Sequence, residues 1–399
     1  MKKILSVGLA LILLLCCAPA ASAADADLAF RTDGTFRILH VTDTQDDAFP
    51  APDMLNLLRE AVAFSDPDLI VFTGDIVEDS RVGDRASDAR PGIEGVRVQK
   101  LDGSLDAEKT RANVIAATDA VFSVLEEAQV PYAVALGNND RKVGLTGADW
   151  IELLTQYEHC IFFDESPDET DGVDYHVTLR GSDGGDAFNL WLMDTRSGGV
   201  SDAQINWYRE TGARLTAENG GKPLPALVFQ HIQTPDIGNL FVRCGAAEPG
   251  ARKSKDGWVR LNPEIAGGYD FYGYEPGITS GEFAAWKECG DVIGAFFGHQ
   301  HVEGFSGVWN GIELGFTYGC EFAKNGPYGF RVLTLHEEDP TRYDNTLYRY
   351  TGSVRLGNVK LVSEAEYSGQ QPPNACRAML AKLRDLLLSF ISILTVLFR

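Results

Sequence analysis

Short apolar runs alternate with longer stretches of mixed polarity along the chain, and this pattern predicts an α/β fold. The apolar runs are rich in β-branched and aromatic residues and have the length of buried strands. They are 36–42 (FRILHVT), 69–73 (LIVFT), 132–136 (YAVAL), 227–231 (LVFQH) and 292–297 (VIGAFF). The stretches predicted as helices are 53–64 with Asp53 as cap, 107–128, 150–157, 201–215 with Ser201 or Asp202 as cap, and 281–289.

The second half of the chain has a more β-rich pattern. Asn310-Gly311 separates two strand-like runs, 302–308 and 312–318, and favours the positive φ angles of a hairpin turn. The stretch 78–106 predicts a long loop, and 233–279, rich in glycine, proline and aromatic residues, predicts irregular structure. Early strand–helix alternation and later hairpins together predict two packed mixed β-sheets flanked by helices.

Polar residues of a restricted set follow the C-terminal ends of the five apolar runs. They are Asp43 and Gln45, Gly74-Asp75, Gly137-Asn138-Asn139-Asp140, His231, and Gly298-His299-Gln300-His301. Ligands of α/β proteins gather at the carboxyl ends of the strands, so these residues are expected to converge. Carboxylate, amide and imidazole groups together suit Mn, Fe or Zn. The pattern therefore predicts one metal site.

The five blocks, in this order, resemble the calcineurin-like metallophosphoesterases, whose pattern is D-x-H, G-D, G-N-H-D/E, H and G-H-x-H. Within that family the chain is most similar to the single-domain branch related to purple acid phosphatases. The residues that carry this second resemblance are 192–195 (LMDT), 204–207 (QINW) and 328–331 (YGFR). The resemblance covers about 36–335 and implies a four-layer α/β/β/α sandwich.

The resemblance also implies a centre of two divalent or mixed-valence metal ions (Mn, Fe or Zn) that share Asp75. The first ion would be held by Asp43, Gln45, Asp75 and His301, and the second by Asp75, Asn138, His231 and His299. Asp75, Asn139 and His231 would be the catalytic residues. A hydroxide bridging the ions would attack a phosphate monoester in line. Hydrolysis of phosphodiesters or nucleotides at the same site stays open.

Three positions depart from the family's pattern. Gln45 stands where the family has a histidine ligand, and Asn139 stands where it has the histidine that assists the transition state or leaving group. Asparagine cannot deliver a proton, and general acid catalysis contributes about 10²–10⁴-fold in rate. Asp140, Arg141 or a residue of 233–279 could substitute; a weakly active metal- or phosphate-binding protein is the alternative. Glu78 replaces the tyrosine of purple members, so no tyrosinate-to-iron colour is expected.

The charge balance narrows the class of substrate. The chain of 399 residues contains 57 acidic and 35 basic residues, for a formal net charge of −22. Proteins that bind nucleic acid polymers or anionic surfaces broadly need a basic face, so such binding is not expected. A metal centre can make one site locally cationic. We therefore expect a small phosphorylated substrate.

Both ends of the chain predict segments outside the catalytic domain. Lys2-Lys3, an apolar stretch from 4 to 17 and Ala21-Ser22-Ala23 have the pattern of a signal peptide over 1–23, which predicts an exported protein. The metallophosphoesterase domain is then expected at 24–365, and 366–399 would be a linker and an apolar helix. The 13 residues 386–398 are too short for a span, which needs about 20. They could lie on a membrane surface or dock on the body.

Overall fold

The computed structural model describes residues 28–78, 82, 107–166, 172–196, 198–322 and 326–370. The signal peptide predicted at 1–23, the apolar segment 386–398 and most of the loop predicted at 78–106 lie outside the described residues. Among the residues that are described, no helix is both long enough and apolar enough to cross a membrane.

Strands and helices alternate in the first half, and strands dominate the second. The strands are β1 Thr35–Val41, β2 Leu69–Thr73, β3 Tyr132–Ala135, β4 Cys160–Ile161, β5 Tyr175–Arg180, β6 Asp186–Met193, β7 Ala226–Gln230, β8 Phe241–Arg243, β9 Arg252–Ser254, β10 Gly257–Leu261, β11 Ala266–Asp270, β12 Val292–Phe297, β13 Gly304–Trp309, β14 Ile312–Phe316, β15 Tyr328–His336, β16 Tyr343–Thr351 and β17 Lys360–Ser363. The α-helices are α1 Pro52–Ser65, α2 Ala107–Ala128, α3 Gly147–Leu154, α4 Asp202–Glu218, α5 Gly281–Cys289 and α6 Glu364–Gln370. Short 3₁₀ helices are Asp140–Lys142, Pro235–Leu240 and Val354–Leu356.

Two large mixed sheets form the centre of the fold. The first has seven strands in the order β17-β16-β15-β1-β2-β3-β4, and the second has seven in the order β11-β13-β14-β12-β7-β6-β5. In the first sheet β1 to β4 run parallel, and in the second β6, β7, β12 and β14 do. The predicted α/β class, two mixed sheets flanked by helices, is confirmed.

The parallel register brings the motif-bearing strand ends to one edge of each sheet. Val41 pairs with Phe72, and Thr73 pairs with Ala135, so β1, β2 and β3 end together. In the second sheet Phe297 pairs with Gln230, so β12 and β7 also end together. The loops that follow these strands therefore start close to one another.

The apolar residues of β6 show how the layers are held together. Because successive side chains of a strand point to opposite faces, Leu190 and Leu192 join the core that also contains the first sheet and helices α1 and α2. Trp191 and Met193 join the second core, which helices α4 and α5 cover. The second sheet is thus buried on both faces, with one face against the first sheet.

Helix α1 begins differently from the prediction. Its N-cap is Ala51, with Pro52 in the first position of the helix, where the missing N–H costs nothing. The Asp53 carboxylate does not cap this helix; it accepts hydrogen bonds from Tyr350 Oη at 3.0 Å and from the Val354 backbone N–H at 2.7 Å. Ser201 does cap α4, in a capping box with Gln204, as one of the two predicted alternatives.

The stretch 233–279 is more regular than its sequence indicates. It contains one 3₁₀ helix and a three-stranded sheet in the order β8-β10-β9, and β11 pairs with β13 of the second large sheet. The prediction of irregular structure was wrong because these strands are only three to five residues long and have no sustained apolar run, so pairing with a partner strand stabilises them.

Candidate metal centre

The backbone turns sharply at four of the seven predicted ligand residues. Asp43, Gln45, Asp75 and His299 have φ angles of 53°, 36°, 51° and 69°. Residues with a side chain rarely adopt this left-handed region, and each such residue costs on the order of 1–3 kcal/mol. Strain of this kind concentrates at functional sites, where the surrounding structure holds it in place.

Two glycines allow the loops after β2 and β3 to touch. A Cβ atom at Gly74 would lie 2.2 Å from the backbone N of Gly137, and one at Gly137 would lie 2.2 Å from Asp75 Oδ1. The buried Asp140 carboxylate then joins these loops, accepting hydrogen bonds from the N–H groups of Gly137 at 2.8 Å and Ile76 at 2.9 Å. Burial raises the pKa of Asp140 to about 7, and the nearby charge of Asp75 adds to the effect. Asp140 therefore acts in loop structure.

The first half-site consists of Asp43, Gln45, Asp75 and His301. One ligand atom from each of Asp43, Asp75 and His301 lies within 4.8 Å of the others, and His301 Nε2 is 3.3 Å from Asp43 Oδ1. Gln45 Nε2 donates a hydrogen bond to Asp75 Oδ2. Asp43 Oδ1 and Gln45 Oε1 are buried and accept no hydrogen bond from the described residues. Because a buried oxygen without a donor is costly, a cation between these groups fits them.

The second half-site consists of Asp75, Asn138, His231 and His299. His231 Nδ1 donates to the Thr73 carbonyl at 2.8 Å, so its Nε2 faces Asp75 Oδ2 and Asn138 Oδ1, both 3.2 Å away. Asn138 Oδ1 also lies 2.8 Å from His299 Nδ1. Four potential ligand atoms, one from each of the four residues, therefore face one another.

The orientation of the Asn138 side-chain amide bears on whether a metal ion fits the second half-site. Hydrogen bonding alone would turn this amide over, so that its nitrogen donates to the two imidazoles and its oxygen accepts from Lys142 Nζ at 3.0 Å. A cation favours the orientation in the structure instead, because the amide oxygen and both imidazoles would then point their lone pairs at it. The residues present thus fit two cations that share Asp75.

The electrostatics of the two histidines in the second half-site differ. Burial lowers the pKa of His231, but the carboxylates of Asp75 and Asp43 outweigh this effect and raise it to about 10. Burial and the positive charge of His231 lower the pKa of His299 to about 4. The buried carboxylates therefore create a negative site that attracts positive charge.

The structure brings all seven predicted ligand residues together, and their coordination of metal stays a prediction. It also adds a residue that the sequence did not indicate. Glu321 is buried, and its Oε2 lies 2.6 Å from His301 Nδ1. A carboxylate behind a ligand histidine orients the ring and makes it a better donor. Glu321 follows β14 without belonging to any motif; its only signal is an acidic residue shortly after an apolar strand.

The residues around Asn139 separate the candidates for the missing histidine. Asn139 is directed at Asp75, with its N–H 2.7 Å from Oδ1 and its Nδ2 donating to Oδ2. Arg141 Nη2 is 2.7 Å from Asp194 Oδ2, a carboxylate outside the predicted ligand set. The described residues that carry β8 to β11 contribute no residue to the two metal-ligand groups. Lys142, which the sequence did not single out, places its ammonium 3.0 Å from the Asn138 side chain.

The segments LMDT and QINW hold two site loops together. Asp194 pairs with Arg141, and Thr195 Oγ1 accepts a hydrogen bond from the backbone N–H of Ile232, the residue after His231, at 3.0 Å. Gln204 Nε2 donates to the Asp194 carbonyl at 2.8 Å. These contacts link the loops after β3, β6 and β7 to the start of α4.

The sequence is similar to those of known proteins. A family model described as calcineurin-like phosphoesterase matches residues 36–303. The chain is 26% identical over 372 residues to a protein of Arabidopsis thaliana named "Probable inactive purple acid phosphatase 14", covering 82% of this chain and 80% of that protein. It is 24% identical over 345 residues to "Probable inactive purple acid phosphatase 28" of the same organism, covering 74% and 72%.

The solved structures that the chain is similar to are more distant in sequence. A dimetal phosphatase from Danio rerio is 13% identical, with 82% of this chain and 99% of that chain covered and a TM-score of 0.46. The structure of PhoD is 10% identical, with 84% and 69% covered and a TM-score of 0.49.

Proposed function

The chain belongs to the calcineurin-like phosphoesterase family, and on that premise we propose that it hydrolyses small phosphate monoesters at a centre of two metal ions. The observation that carries the proposal is the meeting of two ligand groups, Asp43-Asp75-His301 and Asp75-His231-His299, at a shared Asp75. The net charge of −22 supports a small substrate over a nucleic acid polymer.

The protein's own residues have separate roles in this reaction. Asp43, Gln45, Asp75 and His301 would hold one ion, and Asp75, Asn138, His231 and His299 the other. Bound there, the ions supply Lewis-acid neutralisation of the phosphate and lower the pKa of water. Thr73 fixes the tautomer of His231, and Glu321 orients His301. Asn139 restrains the shared Asp75 by two hydrogen bonds.

Lys142 takes over part of the role of the missing histidine. When Asn138 turns its amide oxygen toward the imidazoles, its NH₂ faces the Lys142 ammonium and cannot accept a hydrogen bond from it. The ammonium is then available to a phosphoryl oxygen at the mouth of the site. A charge-assisted hydrogen bond of this kind stabilises negative charge that develops on phosphate. It acts as a fixed positive charge, with no proton transfer required.

A weakly active metal- or phosphate-binding protein is the second candidate. Asn139 motivates it, because that side chain is engaged by Asp75 and lacks a proton to deliver. The names of the two Arabidopsis relatives, which include the word inactive, also favour it.

One experiment separates the two candidates. Purified protein is loaded with Mn²⁺, Fe²⁺ or Zn²⁺, assayed on an aryl phosphate monoester and the matching diester, and assayed again after chelation. We expect monoester hydrolysis that chelation abolishes and metal restores. Preferred diester hydrolysis would contradict the monoester assignment. Metal bound without turnover of either ester would contradict the enzyme and support the binding protein.

We propose in addition that the protein is exported and that the segment 386–398 lies on a membrane surface. The support is the pattern of 1–23 and the apolar composition after Arg377, Lys382 and Arg384. N-terminal sequencing of protein recovered outside the cytoplasm should begin near Ala24. Deletion of 386–399 should move the protein into the soluble fraction; unchanged partitioning would rule out membrane association through this segment.

A further inference from the structure

A cleft of about 690 Å³ opens between the loops that follow β3 and β6. Its wall includes Arg141, two residues after Asn139, together with Thr146, Arg196 and Ser201. Asn139 contacts the shared Asp75, so the loop after β3 connects the cleft with the candidate metal centre. Its volume is in the range of sites for small molecules.

Both arginines of the cleft depend on Asp194. This carboxylate is fully buried and pairs with Arg141 Nη2 at 2.7 Å. Only 11% of the Arg141 side chain is exposed. The other Asp194 oxygen accepts the backbone N–H of Arg196 at 2.8 Å, and Arg196 has a left-handed φ of 48°. Asp194 thus contacts both arginines that line the cleft, and it does so with a strained backbone at Arg196.

The charged residues that line the cleft are arginines, and one of them, Arg141, is paired with Asp194. No aspartate or glutamate is among the described residues that line it, although the chain has a net charge of −22. A second cleft of about 470 Å³ shares the wall 198–200, lies beside Ile232 and Gln233, and is lined by Asp202, Glu275 and Glu282. An anion next to the metal centre would therefore favour the arginine cleft over the acidic cleft.

We infer that the arginine cleft binds a second anionic group of the substrate. The substrate class is a small phosphate monoester whose alcohol part carries a carboxylate or a further phosphate. This inference rests on the proposed function, since the scissile phosphate would lie at the metal centre. Arginine suits this task because its planar guanidinium donates two parallel hydrogen bonds to a carboxylate or phosphate.

Two esters of equal shape and different charge test the inference. The probes are 4-carboxyphenyl phosphate and 4-carbamoylphenyl phosphate, assayed with metal-loaded protein. We expect kcat/KM to be about tenfold higher for the carboxylate ester, in line with a charge-assisted hydrogen bond to a partly solvated group. Arg196→Gln should reduce this preference to about twofold or less, and Arg196→Lys should keep part of it. Arg209→Gln, on the exposed face of α4, is the matched control and should leave it unchanged.

A binding measurement separates failure of the cleft from failure of the enzyme. Titration calorimetry with 4-carboxyphenylphosphonate and its carbamoyl analogue needs no turnover. If neither ester is hydrolysed but the carboxylate phosphonate binds about tenfold tighter, the cleft stands and the proposed enzyme fails. If both esters are hydrolysed equally well, the enzyme stands and the cleft inference is wrong. Equal binding of both phosphonates to an inactive protein overturns the inference as well.

A folding defect in an Arg196 variant could also reduce its preference for the carboxylate ester. Thermal unfolding identifies such a defect, and the wild-type preference then serves as the test. A preference based on the cleft's charge should decline as the salt concentration rises. A preference for the carboxylate that salt leaves unchanged would overturn the inference.

Discussion

The two halves of the candidate metal centre share Asp75 but differ in their remaining ligands. The first half-site adds two oxygen ligands, Asp43 and Gln45, and one imidazole, His301. The second adds one amide oxygen, Asn138, and two imidazoles, His231 and His299. Oxygen ligands favour harder ions, and imidazole favours borderline ions such as Zn²⁺. The structure therefore predicts two ions held with different affinity and selectivity.

The groups that orient the histidines of the two half-sites differ as well. His301 is oriented by a carboxylate, Glu321, whereas His231 is oriented by a backbone carbonyl, that of Thr73. The only departure from the family's ligand pattern, Gln45, falls in the first half-site. A carboxylate behind His301 strengthens that imidazole, and this compensates in part for the neutral amide at Gln45. We infer that the first half-site is the weaker of the two.

The largest effect should come from the residue that both half-sites share. Asp75→Asn should remove both ions and reduce monoester hydrolysis at least about 10³-fold, because each ion contributes several kcal/mol to the stabilisation of charge. Elemental analysis and the aryl phosphate assay measure the two effects. Asp183→Asn, in an exposed turn, is the matched control. Full metal content in Asp75→Asn would contradict the shared ligand.

Separate histidine variants should empty one half-site each. His231→Asn should lose the second ion and His301→Asn the first, with a loss of activity of about 10²-fold or more in each because one Lewis acid is gone. Metal-to-protein ratios should fall from two to one in both variants. His336→Asn, at a surface pair with Asp344, is the control. A ratio that remains two would show that the histidine is no ligand.

The contribution of Glu321 should be confined to the first half-site. Glu321→Gln should weaken the first ion about 10–100-fold, the range typical for a group that orients a ligand histidine. Competition with a chromogenic chelator measures both ions separately. Glu218→Gln on the exposed end of α4 serves as control. Equal weakening of both ions would contradict the confinement to His301.

Changing Gln45 to histidine should reduce the difference between the half-sites. Gln45→His provides the imidazole that the family has at this position, and we expect the first ion to bind about tenfold tighter, the order of one good ligand interaction. The same chelator competition measures it, with Gln156→His on the surface of the protein as control. Unchanged affinity would show that Gln45 does not coordinate.

The smallest effect should come from Lys142, which acts on substrate and leaves metal in place. Lys142→Met should lower kcat/KM and weaken inhibition by inorganic phosphate several-fold, because one exposed charge-assisted hydrogen bond to the phosphate is lost. Metal content should stay at the wild-type ratio. Lys222→Met, an exposed lysine beyond α4, is the control. Unchanged kcat/KM together with unchanged phosphate affinity would contradict a phosphate-contacting role.

Local patterns in the sequence were enough to predict the strands that carry the site. The limits of β2 and β12 agree with the predicted 69–73 and 292–297, because long apolar β-branched runs have few alternatives to a buried strand. The stretch 233–279 was predicted less well. Its short strands are stabilised by partners that lie elsewhere in the chain, and no local pattern indicates them.

The sequence by itself determined the α/β class, the order of the motif blocks and the set of candidate ligands, since each depends on neighbouring residues. Only the tertiary structure decided which acid supports His301, that Asp140 serves loop structure, and that Lys142 rather than Arg141 faces Asn138. It also decided that Arg141 and Arg196 line one cleft through Asp194. Several of these contacts, such as Arg141 with Asp194 and Asp140 with Ile76, join residues far apart in sequence, and the packing of strands and loops sets their distances. Composition and spacing carry no information about such distances before the chain folds.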